Sequence, residues 1–323
     1  MISFSIIIIT HGREELLLKC LESLRQFDGQ WQLILVQNGQ ELSPATIELA
    51  KSLTSHLELV FIENKATPGA ARNRALDQVI GDWIFFLDDD AYLLSGYNER
   101  IKYHFANSNF DVIGGPDIPA KGMTKFSTAL ALTLASPFCT GLTHVRHEPS
   151  GSKSFKATEL HLSSCNLWIK KLALNDIRFP EDFTRTEEIY LLTELKKEKK
   201  NFLYDPKLKV GHFRRKKMKD LLSPTFFSGF YRSKLMRRFQ QSSGQFWLPA
   251  FFVLFHFIIF VSPELFAYLA QIYLCLIVMM ALKISIRNNS LIIFLHVIYL
   301  HYFIVFIYGL GFLYERIKMH ASK

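Results

Sequence analysis

Gly81-Asp82-Trp83-Ile84-Phe85-Phe86-Leu87-Asp88-Asp89-Asp90 is the stretch on which the fold turns. Trp83 to Leu87 run without polar interruption into three aspartates. A short continuous apolar run is expected of a strand buried on both faces, as in a parallel sheet. Three adjacent carboxylates at the end of such a strand repel one another, and a divalent cation is the simplest way to sustain them. Oxygen-only ligands favour Mg2+ or Mn2+, commonly shared with phosphates. A solvated acidic turn is the bland alternative, and the apolar run directly before it argues against that.

Working outward, Phe4–Ile9 is another isoleucine-rich apolar run and reads as a first strand. Glu14–Gln26 follows with Leu17, Cys20, Leu21 and Leu24 at helical spacing. Gln32–Val36 reads as a second strand, closed by the turn signal Asn38-Gly39. Ser43-Pro44 is a helix start, a side-chain cap followed by a first-turn proline. Leu57–Ile62 is expected as a third strand and Gly69–Val79 as a third helix, before the strand Trp83–Leu87. Strand alternating with helix in this order predicts an open, mostly parallel α/β sheet with right-handed crossovers.

In such sheets ligands bind beyond the carboxyl ends of the strands. Those ends are Thr10-His11-Gly12, Gln37-Asn38, Glu63-Asn64 and Asp88-Asp89-Asp90. No GxGxxG follows the first strand and no GxxxxGK[ST] occurs. That argues against a dinucleotide-binding Rossmann enzyme and a P-loop NTPase.

The order Pro68-Gly69-Ala70-Ala71-Arg72-Asn73-Arg74-Ala75, then Gly81-Asp82, apolar strand and Asp88-Asp89-Asp90, resembles the family 2 glycosyltransferases. The likeness covers roughly residues 4 to 215. It implies a GT-A fold, Rossmann-like with a mostly parallel open sheet, in a membrane-attached protein of the polysaccharide-biosynthesis type. Thr10, Gly12 and Arg13 match the family's opening loop, and Arg72 is implied near the nucleotide. Asp88 and Asp89 stand in the DxD motif, with Asp88 implied near the ribose and Asp90 on the metal. Gly114-Gly115-Pro116 is similar to the turn after the DxD strand. Cys165 and Asn166, ahead of Lys170-Lys171, match the strand on the acceptor side. Thr186-Glu187-Glu188 stands at the family's "ED" helix start, which implies Glu188 as catalytic base with Glu187 as second candidate. His212, in Val210-Gly211-His212, matches a strand-end histidine that faces the diphosphate or metal. Without that order, a Glu-Glu pair is ordinarily a helix N-terminus favoured by the dipole, and a lone histidine an ordinary core or surface residue.

Two departures from the family pattern stand out. Gln37-Asn38-Gly39 occupies the place where the family usually carries an aspartate reading the nucleobase. A glutamine amide can accept from a base imino group and donate to a carbonyl, but carries no charge. The Q-x-x-R-W motif is also missing, since none of the four tryptophans follows an arginine. This speaks against processive cellulose- or chitin-type synthesis.

The whole chain has 323 residues and a net charge of +9, and 49% hydrophobic residues exclude a disordered chain. Four cysteines without a CxxC indicate neither a disulfide framework nor a cysteine zinc site. The charge is local. Leu191 to Phe239 contain 15 Lys+Arg against four acidic residues. Taking that +11 from +9 leaves the remainder at −2. Residues 246–314 then hold only Glu264, Lys283 and Arg287 as charged side chains.

A basic stretch abutting an apolar one is expected where a cytoplasmic domain meets a bilayer. Three apolar runs follow, Phe246–Val261, Leu265–Leu282 and Leu291–Leu313, and three crossings are favoured over two. Met1-Ile2-Ser3-Phe4 lacks the basic start of a signal peptide. The expected organisation is a catalytic domain over 1–220, a basic amphipathic interfacial segment over 221–245, a membrane region of two to three helices over 246–314, and a basic tail over 315–323. The expected location is a multi-pass membrane protein with a cytoplasmic catalytic domain.

The expected function is an inverting, metal-dependent hexosyltransferase using Mg2+ or Mn2+. It would move a sugar from a nucleotide-sugar donor, a UDP-sugar first among candidates, to a lipid-linked or membrane-proximal glycan. No nucleic-acid partner is expected, because apolar spans follow the basic stretch directly. The competing reading is a catalytically silent, membrane-anchored scaffold with a transferase-like fold.

Overall fold

The computed structural model describes residues 3–148, 151–241 and 244–321. Met1, Ile2 and Lys323, on which the readings of the chain start and the basic tail partly rest, lie outside the described residues. The chain falls into two compact units. One comprises Met1–Lys121 and Leu142–Phe213, the other Gly122–Gly141 and Arg214–Lys323.

The first unit is the α/β domain. Its elements begin with β1 (Phe4–Thr10), α1 (Glu14–Ser23), β2 (Gln32–Asn38), α2 (Pro44–Leu53), β3 (His56–Ile62), α3 (Pro68–Leu76) and β4 (Trp83–Leu87). The alternation read from the sequence is therefore present. Ser43 caps α2 by accepting from the Thr46 N–H, with Pro44 in the first turn. After β4 come β5 (Ala91–Leu93), α4 (Tyr97–Asn107), β6 (Val112–Gly114) and β7 (Asp117–Pro119).

The main sheet runs β3-β2-β1-β4 with all pairs parallel. It continues through β9 (Asn166–Lys170), β6, β10 (Phe202–Tyr204) and β8 (Phe155–Lys156). There the antiparallel β9 makes it mixed, lying between β4 and β6. Strands β1, β2 and β4 are buried on both faces, which is why their sequences are continuous apolar runs rather than alternating ones. One face packs on Leu17, Leu21 and Tyr97, the other on Ala71, Ala75 and Leu191. A small sheet, β5-β11-β7, is completed by β11 (Val210–His212).

The second unit is helical: α5 (Lys125–Leu134), α6 (Pro137–Thr140), then, beyond the short α7 (Lys171–Leu174) and α8 (Glu187–Lys197) of the first unit, α9 (Lys219–Arg238), α10 (Leu248–Phe255), α11 (Pro263–Asn288) and α12 (Leu291–Ala321). The sequence reading leaves Gly122–Gly141 inside the span 1–220. In the structure Ala129 and Leu130 of α5 share a core with Ile277, Ala281, Val297 and Leu300 of α11 and α12. An apolar helix of this kind buries its face where apolar surface is on offer.

Among the described residues, two helices are long and apolar enough to cross a membrane, Pro263–Asn288 and Leu291–Met319. The third crossing expected over Phe246–Val261 has no helix of that length. It is the shorter apolar helix Gly244–Phe260, whose ends tighten to 3₁₀ turns. His256 Nδ1 lies 2.8 Å from the Phe252 carbonyl, taking up the i−4 acceptor where the helix tightens.

The helix expected over Leu221–Phe239 packs along α12 rather than presenting all its cations outward. Gly229 meets the Tyr308 carbonyl and Gly311 meets the Phe226 carbonyl, each so closely that a Cβ would sit 1.9 Å from the oxygen. Arg232 is buried with its guanidinium 4.3 Å from the Phe246 ring centre. The buried carboxylate Glu315 accepts from Ser233 Oγ at 2.6 Å and from Arg237 Nη2 at 2.6 Å. Lys234 Nζ in turn lies 5.6 Å from the Tyr231 ring centre, so Arg232, Lys234 and Arg237 are all engaged within the helical unit.

Candidate active site

The polar ends of β1 and β4 adjoin because these strands pair in parallel, Ile7 beside Phe86. After β1 the chain turns through Gly12, whose φ of +68° favours glycine. The turn brings Arg13 over the end of β4, where its guanidinium bridges the carboxylates of Asp89 and Asp90. Thr10 is buried at the strand end. Asp89 is fully buried, and burial, partly offset by Arg13, pushes its carboxyl up to about 7. Asp88 is a third exposed, and burial raises its pKa against the pull of Arg72.

Arg72 comes from α3, whose N-terminus is capped by Thr67 and started by Pro68. Its side chain is buried and passes 5.4 Å from the Phe179 ring centre. It donates to Glu187 at 2.6 Å, to Ser164 Oγ at 3.1 Å and to Asp88 at 3.4 Å. Burial would lower its pKa, but Glu187 and Asp88 outweigh that and hold it above the usual value. Glu187 opens α8 and is itself raised by burial against the pull of Arg72. Glu188, next along, is held by Arg146 Nη1 at 3.2 Å. Arg146 is buried and anchored by the Leu160 and Glu159 carbonyls at 2.8 and 2.7 Å. So each glutamate has its own arginine, and Glu188 has the looser contact.

The small sheet supplies the remaining side. β11 pairs with β5 so that His212 stands beside Ala91, just after the aspartates. His212 Nε2 lies 3.1 Å from Asp90 Oδ1, and Nδ1 lies 3.0 Å from Asp117 Oδ2. The Cys165 thiol lies 3.7 Å from the same Nδ1. Ligand atoms of Asp88, Cys165 and His212 all fall within 4.8 Å of one another. Burial pushes the Cys165 thiol up to about 12, and a soft sulfur donor matches neither Mg2+ nor Mn2+. That leaves carboxylates and one imidazole, a donor set suited to Mn2+ or Mg2+. Asp88 and Asp89 take up protons more readily than ordinary carboxylates even beside Arg13 and Arg72. A bound divalent cation would relieve that. The residues fit the metal that the DxD motif implies.

Three residues singled out from the sequence are engaged in holding the fold. Gln37 is buried and its carbonyl accepts the Leu42 N–H at 2.8 Å. Asn38 clasps Ala66, accepting its N–H at 2.8 Å and donating to its carbonyl at 3.1 Å. Asn166 accepts from the Tyr97 hydroxyl at 2.5 Å and donates to the Leu208 carbonyl at 2.7 Å. Four others were missed: Asp117, Arg146, His147 and Ser164. Asp117 directly follows the Gly114-Gly115-Pro116 turn and could have been found from it. Arg146 lies in a stretch with no readable motif, and only its distance to Glu188 reveals it.

Comparison with known proteins bears on the family and the fold. The family model described as Glycosyl transferase family 2 matches residues 5–174. A GalNAc(5)-diNAcBac-PP-undecaprenol beta-1,3-glucosyltransferase of Campylobacter jejuni is 28% identical over 136 residues, covering 38% of this chain and 44% of that protein. The putative glycosyltransferase EpsH of Bacillus subtilis is 28% identical over 99 residues, covering 30% of this chain and 28% of that protein. The chain thus spans less than half the length of these curated relatives. Among solved structures, S. aureus TarS 1-349 in complex with UDP-GlcNAc aligns with a TM-score of 0.52 at 18% identity, covering 71% of this chain and 66% of that one. The mannosyltransferase PcManGT from Pyrobaculum calidifontis, in complex with GDP-Man and Mn2+, aligns with a TM-score of 0.57 at 11% identity, covering 97% and 87%. At such identities these two likenesses concern the fold.

Proposed function

The chain belongs to glycosyl transferase family 2, and on that premise we propose that it moves one sugar from a nucleoside diphosphate sugar to a lipid-linked or membrane-proximal glycan, inverting the anomeric centre. The observation that carries this reading is the convergence of Arg72, Asp88, Asp90 and His212 at the joined ends of β1, β4 and β11. UDP-GlcNAc and GDP-Man, the sugars held by the two solved neighbours, are the first donors to test. The acceptor class is suggested by the undecaprenol-linked substrate in the name of the Campylobacter relative.

Asp88, Asp90 and His212 would hold a Mg2+ or Mn2+, which when bound neutralises the diphosphate and makes it a better leaving group. Arg13 and Arg72 orient the donor's charged and hydroxyl groups by charge-assisted hydrogen bonds. Glu188 takes the proton of the acceptor hydroxyl, a general-base role. The acceptor oxygen then bonds to the anomeric carbon as the bond from that carbon to the diphosphate breaks. Attack opposite the leaving group inverts the centre. Arg146 keeps Glu188 aimed.

The two apolar helices tether this chemistry to a bilayer, with the α/β domain on the cytoplasmic side. Tethering raises the effective concentration of an acceptor confined to the membrane. The exposed Arg215, Lys216 and Lys217 suit contact with anionic headgroups.

The test is transfer or hydrolysis from a panel of nucleotide-sugars by the detergent-solubilised chain with Mn2+, alongside Asp90→Ala and Glu188→Gln. Turnover that falls in both variants supports the reading. A chain that binds no nucleotide-sugar is a scaffold instead.

A further inference from the structure

We propose that Asp117 is a positioning residue that orients His212 toward the metal, an inference that rests on the metal reading above. Asp117 begins β7, which pairs in parallel with β11, so its carboxylate and the His212 imidazole sit on neighbouring strands of one small sheet. The Asp117 side chain is almost wholly buried. Its two oxygens serve two imidazoles. Oδ1 lies 2.7 Å from His147 Nδ1, and Oδ2 lies 3.0 Å from His212 Nδ1.

An ionised carboxylate only accepts hydrogen bonds. A metal held by Nε2 would leave the ring proton of His212 on Nδ1, directed at Asp117, and Nε2 lies 3.1 Å from Asp90 Oδ1. A carboxylate behind a metal-ligating histidine fixes the ring and raises its basicity, and losing it typically weakens metal binding about 10- to 100-fold. His147 on the other oxygen keeps Asp117 from rotating away, so the chain His147–Asp117–His212–Asp90 holds the imidazole in one orientation.

The full detergent-purified chain is titrated with Mn2+ and free metal is followed by electron paramagnetic resonance. Asp117→Ala is expected to weaken Mn2+ binding at least tenfold and Asp117→Asn by a smaller factor, with the metal-free melting temperature close to that of the parent. His147→Gln is expected to fall between Asp117→Asn and the parent. His212→Gln and Asp90→Asn serve as references. If both bind Mn2+ as tightly as the parent, the metal reading itself fails. If both lose Mn2+ while Asp117→Asn and Asp117→Ala keep it, the role of Asp117 is overturned and the metal reading stands.

Should Asp117→Ala not fold, Asp117→Asn carries the comparison together with nitrogen chemical shifts of 15N-histidine-labelled protein saturated with Mg2+. The His212 signal is identified by its loss in His212→Gln. It should report a ligated Nε2 with the proton on Nδ1 in the parent, and a weakened Nδ1–H hydrogen bond, read as a displaced Nδ1 shift, in Asp117→Asn. Unchanged ring shifts with unchanged affinity reject the inference.

Discussion

Arg72 and Glu187 form a buried ion pair at 2.6 Å, and the same guanidinium reaches Asp88 at 3.4 Å. One side chain from α3 thus ties the end of β4 to the start of α8. Carboxylates from two distant stretches of the chain are set by a common cation.

Replacing Arg72 with Met should leave Glu187 buried beside no guanidinium. Breaking one side of a buried pair costs about 3–5 kcal/mol. Arg72→Lys should recover only part, because an ammonium cannot present the fork that reaches Glu187, Ser164 and Asp88 together. Denaturant unfolding of the detergent-purified chain measures the first effect, and nucleotide-sugar affinity the second. Unaltered stability in Arg72→Met would refute the pairing.

The two adjacent glutamates should separate by readout. Glu188→Gln is expected to lower kcat by roughly 10²–10⁴-fold and leave nucleotide affinity nearly unchanged. Glu187→Gln should act mainly on stability, through Arg72. Steady-state kinetics with equilibrium nucleotide binding distinguishes them. If Glu187→Gln shows the kinetic loss and Glu188→Gln does not, the base is Glu187.

Asp205 gives a pH signature away from the site. Burial would raise its pKa, but hydrogen bonds from His104 and Arg100 outweigh that and hold it at about 2. Its folded value thus lies below the unfolded value of about 3.9. The stabilisation is fully present above about pH 4 and is lost as pH falls toward 2, amounting to about 2 kcal/mol. Melting temperature against pH should fall through that window, and Asp205→Asn should flatten the fall while lowering stability at neutral pH.

The crossing of α9 and α12 depends on absent side chains. A Cβ at Gly229 or Gly311 would overlap a facing carbonyl, so Gly229→Ala and Gly311→Ala should each destabilise by about 1–3 kcal/mol. Melting in detergent checks this. The double variant should cost less than the sum, because one separation of the helices relieves both clashes.

Much of the α/β domain was legible because each signal was local. Continuous apolar runs at Phe4–Ile9 and Trp83–Leu87 mark buried parallel strands, and Ser43-Pro44 marks a helix start. The three aspartates and the order of motifs around them pointed to the family without any contact information. Leu291 onward announced a membrane-length helix by composition alone.

Pairings between distant segments were not legible. Nothing in the sequence says that Asn38 clasps Ala66, that Arg146 meets Glu188, or that Asp117 lies behind His212. Phe246–Val261 looks like a span in composition, yet the helix is shorter and tightened at its ends. The amino-acid order by itself determined which strands are buried and where the charged ends fall, because hydrophobic period and capping act over a few residues. Only the tertiary structure decided which arginine serves which carboxylate and which cations face outward. Those choices depend on burial and on distances between side chains tens of residues apart, where a buried charge is tolerated only beside its partner.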